Sequence, residues 1–493
     1  MVSRVYELSG KELPLRAVLE HGTPGKLANL LTDAATGVPP IEAADRTGPL
    51  PLSFGQQRMW FLDQLREGRS EYNLVVAHAL EGPLDVPSLR RALDEVVRRH
   101  EALRTVIRDG PNGPTQLVLP SAPVALPVLR VGALGERALR ERLAQVVDGE
   151  LAARFDLARG PLLRARLLET RREEHVFVLA VHHIAADAWS LQTVLRELGA
   201  LYAAFVERRE PTLEPVPLQY ADFAVWQRSW LTGDVLARQL AYWRERLDAA
   251  PPLLELREQR PRPRQKTGIG AQESFEVDER VVAALRALSR AENATLFTTL
   301  LAAFKALLVE RTGRTDVIVG TAIANRTRHE LERVVGFFVN LLVLRTDCSG
   351  DPTFRQLVRR VRDVALGAYS HQDAPFEAIV DELAPERTLG HTPLVQVCAT
   401  YVPETENALA LPGVVARELD LPERTVRFDL VLSARERSNG LLVDLEYDAD
   451  LFARDAVVAL GRDYVDALGR IAASPASRLT EILAPPGRGE GAA

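Results

Sequence analysis

Strand-like and helix-like stretches alternate along this chain, and the same order of elements occurs twice. In the first half, "HVFVLAVHH" (175–183) is a short run rich in Val and bounded by charge, which reads as a buried strand. The helical stretch "SLQTVLRELGALYAAFVERR" follows it, and the amphipathic stretches "VPSLRRALDEVVRRHEAL" and "GERALRERLAQVVDGELAARF" precede it. Pro-rich breaks at 211–217 and 251–263 come next. Beyond them, strand "AQESFEVD", helices "ERVVAALRALSRAEN" and "TLFTTLLAAFKALLVERTG", and strand "DVIVGTAIA" repeat the pattern. At 493 residues the chain exceeds what one hydrophobic core holds together. The repeat therefore predicts an α/β fold of two lobes joined near 220–235, with the cleft between them as the default site.

Composition removes several classes of function. The net charge is -6 with mixed signs along the chain, which gives no reason to expect nucleic acid or an anionic membrane as partner. Cys348 and Cys398 are the only cysteines, too few for a disulfide framework or a cysteine-based metal site. No stretch approaches the roughly 18 apolar residues of a membrane span, and the start carries charge where a signal peptide would be apolar. A soluble, cytoplasmic protein is expected.

The stretch "AVHHIAADAWS" (180–190) concentrates the chemistry. Neighbours on a strand point to opposite faces, so His182 and His183 cannot share one metal from a regular strand. No HExxH or nearby Cys/His cluster supplies further ligands, and no metal is expected. Asp187 stands where a strand ends and a helix begins. It serves as an N-cap or is buried against an arginine, and in either role it holds the loop that presents a histidine. A neutral imidazole, with an unperturbed pKa near 6.5, suits proton removal at neutral pH. No serine or cysteine lies in a nucleophile-type setting, which favours direct transfer over a covalent intermediate.

HHxxxDxxS at His182–Ser190 resembles the signature of condensation domains of nonribosomal peptide synthetases, relatives of chloramphenicol acetyltransferase. Further segments match in family order: "LSFGQQRMWFLDQL" (52–65), "RRHEALRT" (98–105), "YADFAVW" (220–226), "VGFFVNLLVLR" (335–345), "HQDAPFE" (371–377) and "RTLGHTPL" (387–394). The resemblance covers about 50–485. It implies two acetyltransferase-like lobes in a V shape with a central tunnel, and two carrier proteins that deliver phosphopantetheine-tethered thioesters from opposite faces. The chain itself then binds no cofactor. The acceptor's amine attacks the donor's thioester, with His183 as base or as the group that positions the amine. His182 and Asp187 support it, and Asp187 pairs with a distant arginine, placed at Arg326 in "AIANRTRHE". Ala188, Trp189, Ser190 and Asn340 are expected at the tunnel. Donor and acceptor carriers and adjacent synthetase domains are the implied partners of a monomeric domain.

Subfamily markers favour peptide-bond formation between L-configured residues. Heterocyclisation relatives have Asp where His182 stands, and recruiting relatives that have lost catalysis lack His183. Epimerisation relatives usually have Trp at the position of Leu191, and β-lactam-forming ones a third His at that of Val181. One departure stands out: the family usually has Gly where this chain has Ala188. The rival readings are a silent docking module and an acyltransferase that uses a free coenzyme A thioester.

The division that follows is a carrier-protein remnant over 1–35, without its phosphopantetheine serine, then a linker over 36–50. The first lobe spans 51–226, the second 227–485, and a disordered tail 486–493. Tyr220, Phe223 and Trp226, at helical spacing, read as core. "GFFVN" reads as a buried strand or a segment crossing between lobes. Pro375 reads as the first turn of a helix. His371 reads as structural, and Arg104 as a residue that holds the first lobe together.

Overall fold

Apolar runs bounded by charge form the strands. The computed structural model, which describes residues 5, 9, 11, 23–32, 38–65, 72–111, 113–132, 135–264, 266–384, 390–404, 408–421 and 425–484, gathers them into three sheets. The first half begins with α1 (Pro24–Thr32), β1 (Leu50–Pro51), α2 (Phe54–Leu65), β2 (Asn73–Glu81) and α3 (Val86–Arg99). It continues through β3 (Thr105–Gly110), β4 (Gly113–Val118), β5 (Val128–Arg130) and α4 (Glu136–Ala152). β6 (Leu163–Arg171), β7 (Glu174–His182), α5 (Ala188–Val206) and α6 (Tyr220–Trp230) complete it. The remnant expected over 1–35 lies largely outside the described residues.

The second half opens with α7 (Gly233–Leu247), β8 (Gly270–Asp278), α8 (Glu279–Ala291), α9 (Leu296–Thr312), β9 (Asp316–Ile323) and β10 (Asn340–Asp347). Next come α10 (Phe354–Ser370), α11 (Phe376–Leu383), β11 (Val397–Val402) and β12 (Val415–Glu418). β13 (Leu430–Arg437), β14 (Gly440–Asp448), α12 (Arg454–Ala473) and α13 (Leu479–Ile482) close the described chain. Pro375 is the N-cap of α11 and so stands one position before the helix.

Each lobe is a sheet covered by helices with an apolar face. α3 buries Leu89, Ala92, Leu93, Val96 and Val97, the i, i+3, i+4 pattern of a core-facing helix. α9 is buried along nearly its whole length, from Thr298 to Leu308, and ends at Gly313, whose positive φ of 69° closes it. The first-lobe sheet runs β12-β2-β7-β6-β5 and the second-lobe sheet β10-β9-β11-β13-β14-β8. A small third sheet, β1-β4-β3, lies in the first half.

The lobes join between α6 and α7. Tyr220 and Phe223 pack in the first-lobe core, and Trp243 and Leu247 in the second. The boundary at 226/227 is crossed twice more. Residues 331–338 put Leu331, Val334, Val335, Phe337 and Phe338 into the first-lobe core. β12 then pairs antiparallel with β2, from Val415 opposite Glu81 to Glu418 opposite His78. "GFFVN" is accordingly a crossing segment, with strand structure starting only at Asn340. Gly336 within it is dictated by contact, since a Cβ there would run into the Tyr220 ring.

Candidate active site at the lobe junction

β7 runs out at His182, opposite Asn73 of β2, and the chain turns into α5 five residues later. Both histidines are buried, and their hydrogen bonds give them opposite tautomers. His182 Nδ1 accepts the backbone N–H of Ile184 at 3.2 Å, so its proton sits on Nε2. The ring lies between Phe155 and Tyr72, with centroids at 5.9 and 6.5 Å. Burial, then the charges of His183, Arg427 and Arg164, push its pKa down to about 3. His182 is a neutral packing residue.

His183 Nδ1 is 2.8 Å from Ala186 O. A carbonyl only accepts, so Nδ1 carries the proton and Nε2 keeps a lone pair. The backbone N–H of His183 donates to Tyr72 O at 2.8 Å, and the Phe337 ring packs edge-on at 4.9 Å. Burial, then the positive charge of Arg427, push its pKa down to about 4, against the smaller opposing effects of Ala186 O and Asp187. His183 is therefore neutral at pH 7, with a fixed ring and one acceptor nitrogen.

Asp187 does not orient the imidazole. It caps α5, its Oδ1 accepting from Ser190 N at 2.8 Å. The same carboxylate binds Arg326 through two bonds, at 2.7 and 3.2 Å, and accepts from Phe338 N at 3.1 Å. Cap and buried ion pair, alternatives from the sequence, coexist here. Arg326 reaches Asp187 from the segment after β9 and also donates to Ser190 Oγ and Val334 O. The pair thus fastens the strand-to-helix turn of one lobe to the chain leaving the other.

The remaining expected residues occupy different places. Ala188 is the first residue of α5, exposed, and absent from the positive-φ positions, so its methyl fits an ordinary helical start. Trp189 is 44% exposed and its indole donates to Glu332 O at 2.8 Å. Ser190 is fully buried, its hydroxyl shared with Arg326 and both backbone groups of Gly336. Asn340 donates to Gln372 O and Ala374 O and accepts from Phe376 N, which anchors the "HQDAPFE" turn to β10. The side chains of Ser190 and Asn340 are held by the protein's own groups. His371 donates to Gly367 O and stacks on Tyr242, and Arg104 donates to Leu119 O, both structural contacts.

A cavity of about 320 Å³ lies between the lobes beside this turn. Leu74, Val76, Leu191, Leu341, Phe428 and Val431 give it an apolar wall, while Asn73, Arg427 and Glu446 are polar exceptions. Leu191, not Ala188, is the residue of α5 on this wall. A second, smaller and polar pocket is lined by Arg58, Phe337, Asn340 and Asp373 among others. Arg427, with its guanidinium 5.1 Å from the Tyr72 ring centroid, went unremarked in the sequence because the segment around it has no periodic pattern.

The condensation-domain family matches residues 47–489, and the chain belongs to it. A linear gramicidin synthase of Brevibacillus parabrevis is 41% identical over 488 residues, which are 98% of this chain and 10% of that protein. The dimodular nonribosomal peptide synthase of Bacillus subtilis (strain 168) is 37% identical over 498 residues, 98% of this chain and 21% of that protein. The chain thus spans a tenth to about a fifth of the length of these relatives. Among solved structures, a chain in the complex of the X-domain and OxyB from teicoplanin biosynthesis matches with TM-score 0.82 and 31% identity, over 92% of this chain and 100% of that one. The condensation domain of the Monacolin K polyketide synthase MokA matches in fold, with TM-score 0.76 and 24% identity over 88% of this chain and 99% of that one. The fold is that of the chloramphenicol acetyltransferase-like condensation domains.

Proposed function

We propose that this domain forms a peptide bond between two carrier-bound substrates, with an L-configured donor. The acceptor's amine nitrogen attacks the donor's thioester carbonyl, the C–N bond forms, the C–S bond breaks, and the donor's thiol departs. The carrying observation is the state of His183: neutral, its proton fixed on Nδ1 by Ala186 O, its lone pair on Nε2. Such a nitrogen takes one hydrogen of the amine, holds the nucleophile in line, and passes the proton toward the leaving sulfur. A base with its pKa pushed this far down is weak. Positioning, worth on the order of 7–11 kcal/mol, therefore outweighs the roughly 3–5 kcal/mol of general-base assistance. Both phosphopantetheine arms arrive on partner carriers.

His183→Ala should keep the fold and lower condensation by ~10²-fold or more, read by mass spectrometry of products from chemically loaded donor and acceptor carriers. Near-wild-type turnover by the variant would remove His183 from the reaction. Replacing the donor carrier with a free coenzyme A thioester separates the acyltransferase reading. The likeness to an X-domain solved in complex with OxyB supports a second reading, a module that docks a partner enzyme. Absence of any condensation product from the wild-type domain would select it.

A further inference from the structure

Asn73 opens β2 directly opposite His182, and its side chain is pinned. The amide nitrogen donates to Glu150 O at 2.9 Å, Leu151 O at 3.1 Å and Ala153 O at 2.8 Å. These carbonyls belong to the end of α4, where a helix leaves its last acceptors unmet. Three carbonyls that only accept fix which end of the amide faces them, because an oxygen in that place would meet three oxygens. Oδ1 must therefore point away from α4. Arg164 reinforces the arrangement: it donates to the Glu150 and Ala153 carbonyls and lies over the Phe155 ring, which packs edge-on against His182.

Asn73 is buried, 8% exposed, and its Oδ1 has no hydrogen-bond partner. Other buried side-chain atoms among the described residues share that condition, including both ring nitrogens of His78 and the Thr346 hydroxyl. Of their residues, Asn73 alone lines the inter-lobe cavity. An acceptor buried without a partner costs about 1–3 kcal/mol. The fold therefore holds a rigid, unmet acceptor at a mostly apolar cavity, across the sheet from the histidine pair.

We propose that Asn73 is a substrate-binding residue whose Oδ1 accepts an N–H from a carrier-tethered substrate, either the acceptor's attacking amine or an amide of the donor chain. The inference rests on the condensation reading for what enters the cavity. An attacking primary amine has two hydrogens, one surrendered during the reaction and one kept in the product amide. The kept hydrogen stays on Asn73 while the other is directed to His183. In the donor, the same bond would fix an amide N–H and with it the register of the thioester.

The test is a binding cycle that needs no turnover. Two pairs of non-reactive pantetheine thioether conjugates are titrated calorimetrically into wild-type protein and Asn73→Leu. One pair mimics the acceptor, with a terminal amine or a methyl group in its place. The other mimics the donor, with a backbone amide or the ester that replaces its N–H by oxygen. In one pair, wild type should bind the N–H-bearing member about tenfold more tightly, equivalent to about 1.4 kcal/mol. In Asn73→Leu that preference should fall to within about twofold, and the pair that responds names the source of the N–H. A folding defect weakens both members alike and leaves the ratio readable; if the variant does not fold, the wild-type ratios decide. No preference in either pair, no binding of any conjugate, or a preference retained in Asn73→Leu would overturn the proposal. Failure of the condensation reading shows separately, as absence of product from loaded carriers.

Discussion

A buried arginine at the lobe junction and a buried lysine inside the second lobe are held in different ways. Arg326 meets a carboxylate, Asp187, with both side chains almost fully withdrawn from solvent, and spends its remaining donors on Ser190 and Val334. Lys305, on α9, is completely buried and donates only to Val317 O and Leu344 O, on β9 and β10. Among the described residues no carboxylate lies within ion-pair distance of it. Burial pushes its pKa down to about 7, with the charges of Cys348 and Asp316 opposing. A guanidinium cannot shed its proton, so its burial requires a permanent counter-charge; an ammonium can, so two carbonyls suffice. The junction is thus fixed by charge at every working pH, whereas the second-lobe core has a charge that comes and goes.

The largest expected effect breaks the junction. Asp187→Ala leaves Arg326 buried and unpaired and should cost about 3–5 kcal/mol in denaturant unfolding, with loss of condensation activity. A loss under about 1 kcal/mol would show that the pair does not hold the lobes. Lys305→Met sharpens the other side of the comparison. Below pH about 7 the folded protein carries a desolvated ammonium, so the variant should be more stable by roughly 1–3 kcal/mol at pH 6. Between the folded pKa of about 7 and the ordinary value of 10.5, the unfolded chain binds the proton and the folded one does not. Wild-type stability attributable to Lys305 therefore rises with pH across that window, and the advantage of Lys305→Met should close toward pH 10. A pH-independent difference would mean that Lys305 does not titrate there. The smallest effect tests the start of α5. Ala188→Gly should cost about 0.5–1 kcal/mol by loosening the first helical turn, leave the Lys305-dependent pH profile unmoved, and broaden tolerance for bulky donors or acceptors in product analysis. An inactive parent restored to full turnover by this change would instead support the docking reading.

The junction was legible because its signals are local or borrowed from the family: a strand run, a capping aspartate, a motif and its distant arginine. The two α/β lobes followed from period and punctuation alone. The returns of 331–338 and β12 to the first lobe were not legible, since short segments paired far across the chain carry no periodicity of their own. Ser190 and Asn340 were expected beside substrate because polar residues in apolar surroundings invite that reading. The structure puts the partners of both within the protein's own backbone and Arg326. Asn73 went unnoticed because an asparagine at a strand start looks like a turn residue. Only the three carbonyls of α4 reveal which way its oxygen faces.

The pairing of β12 with β2 has a consequence for how the protein is made. Synthesis proceeds from the N-terminus at about 5–20 residues per second, so the strand that closes the outer edge of β2 emerges on the order of half a minute after β2 itself. During that interval the first lobe presents an open strand edge, the kind of surface that captures other chains. A ribosome-bound fragment ending before Val415 therefore exposes a docking edge that the finished protein hides, and the first lobe completes its sheet only after the nascent chain has passed through most of the second.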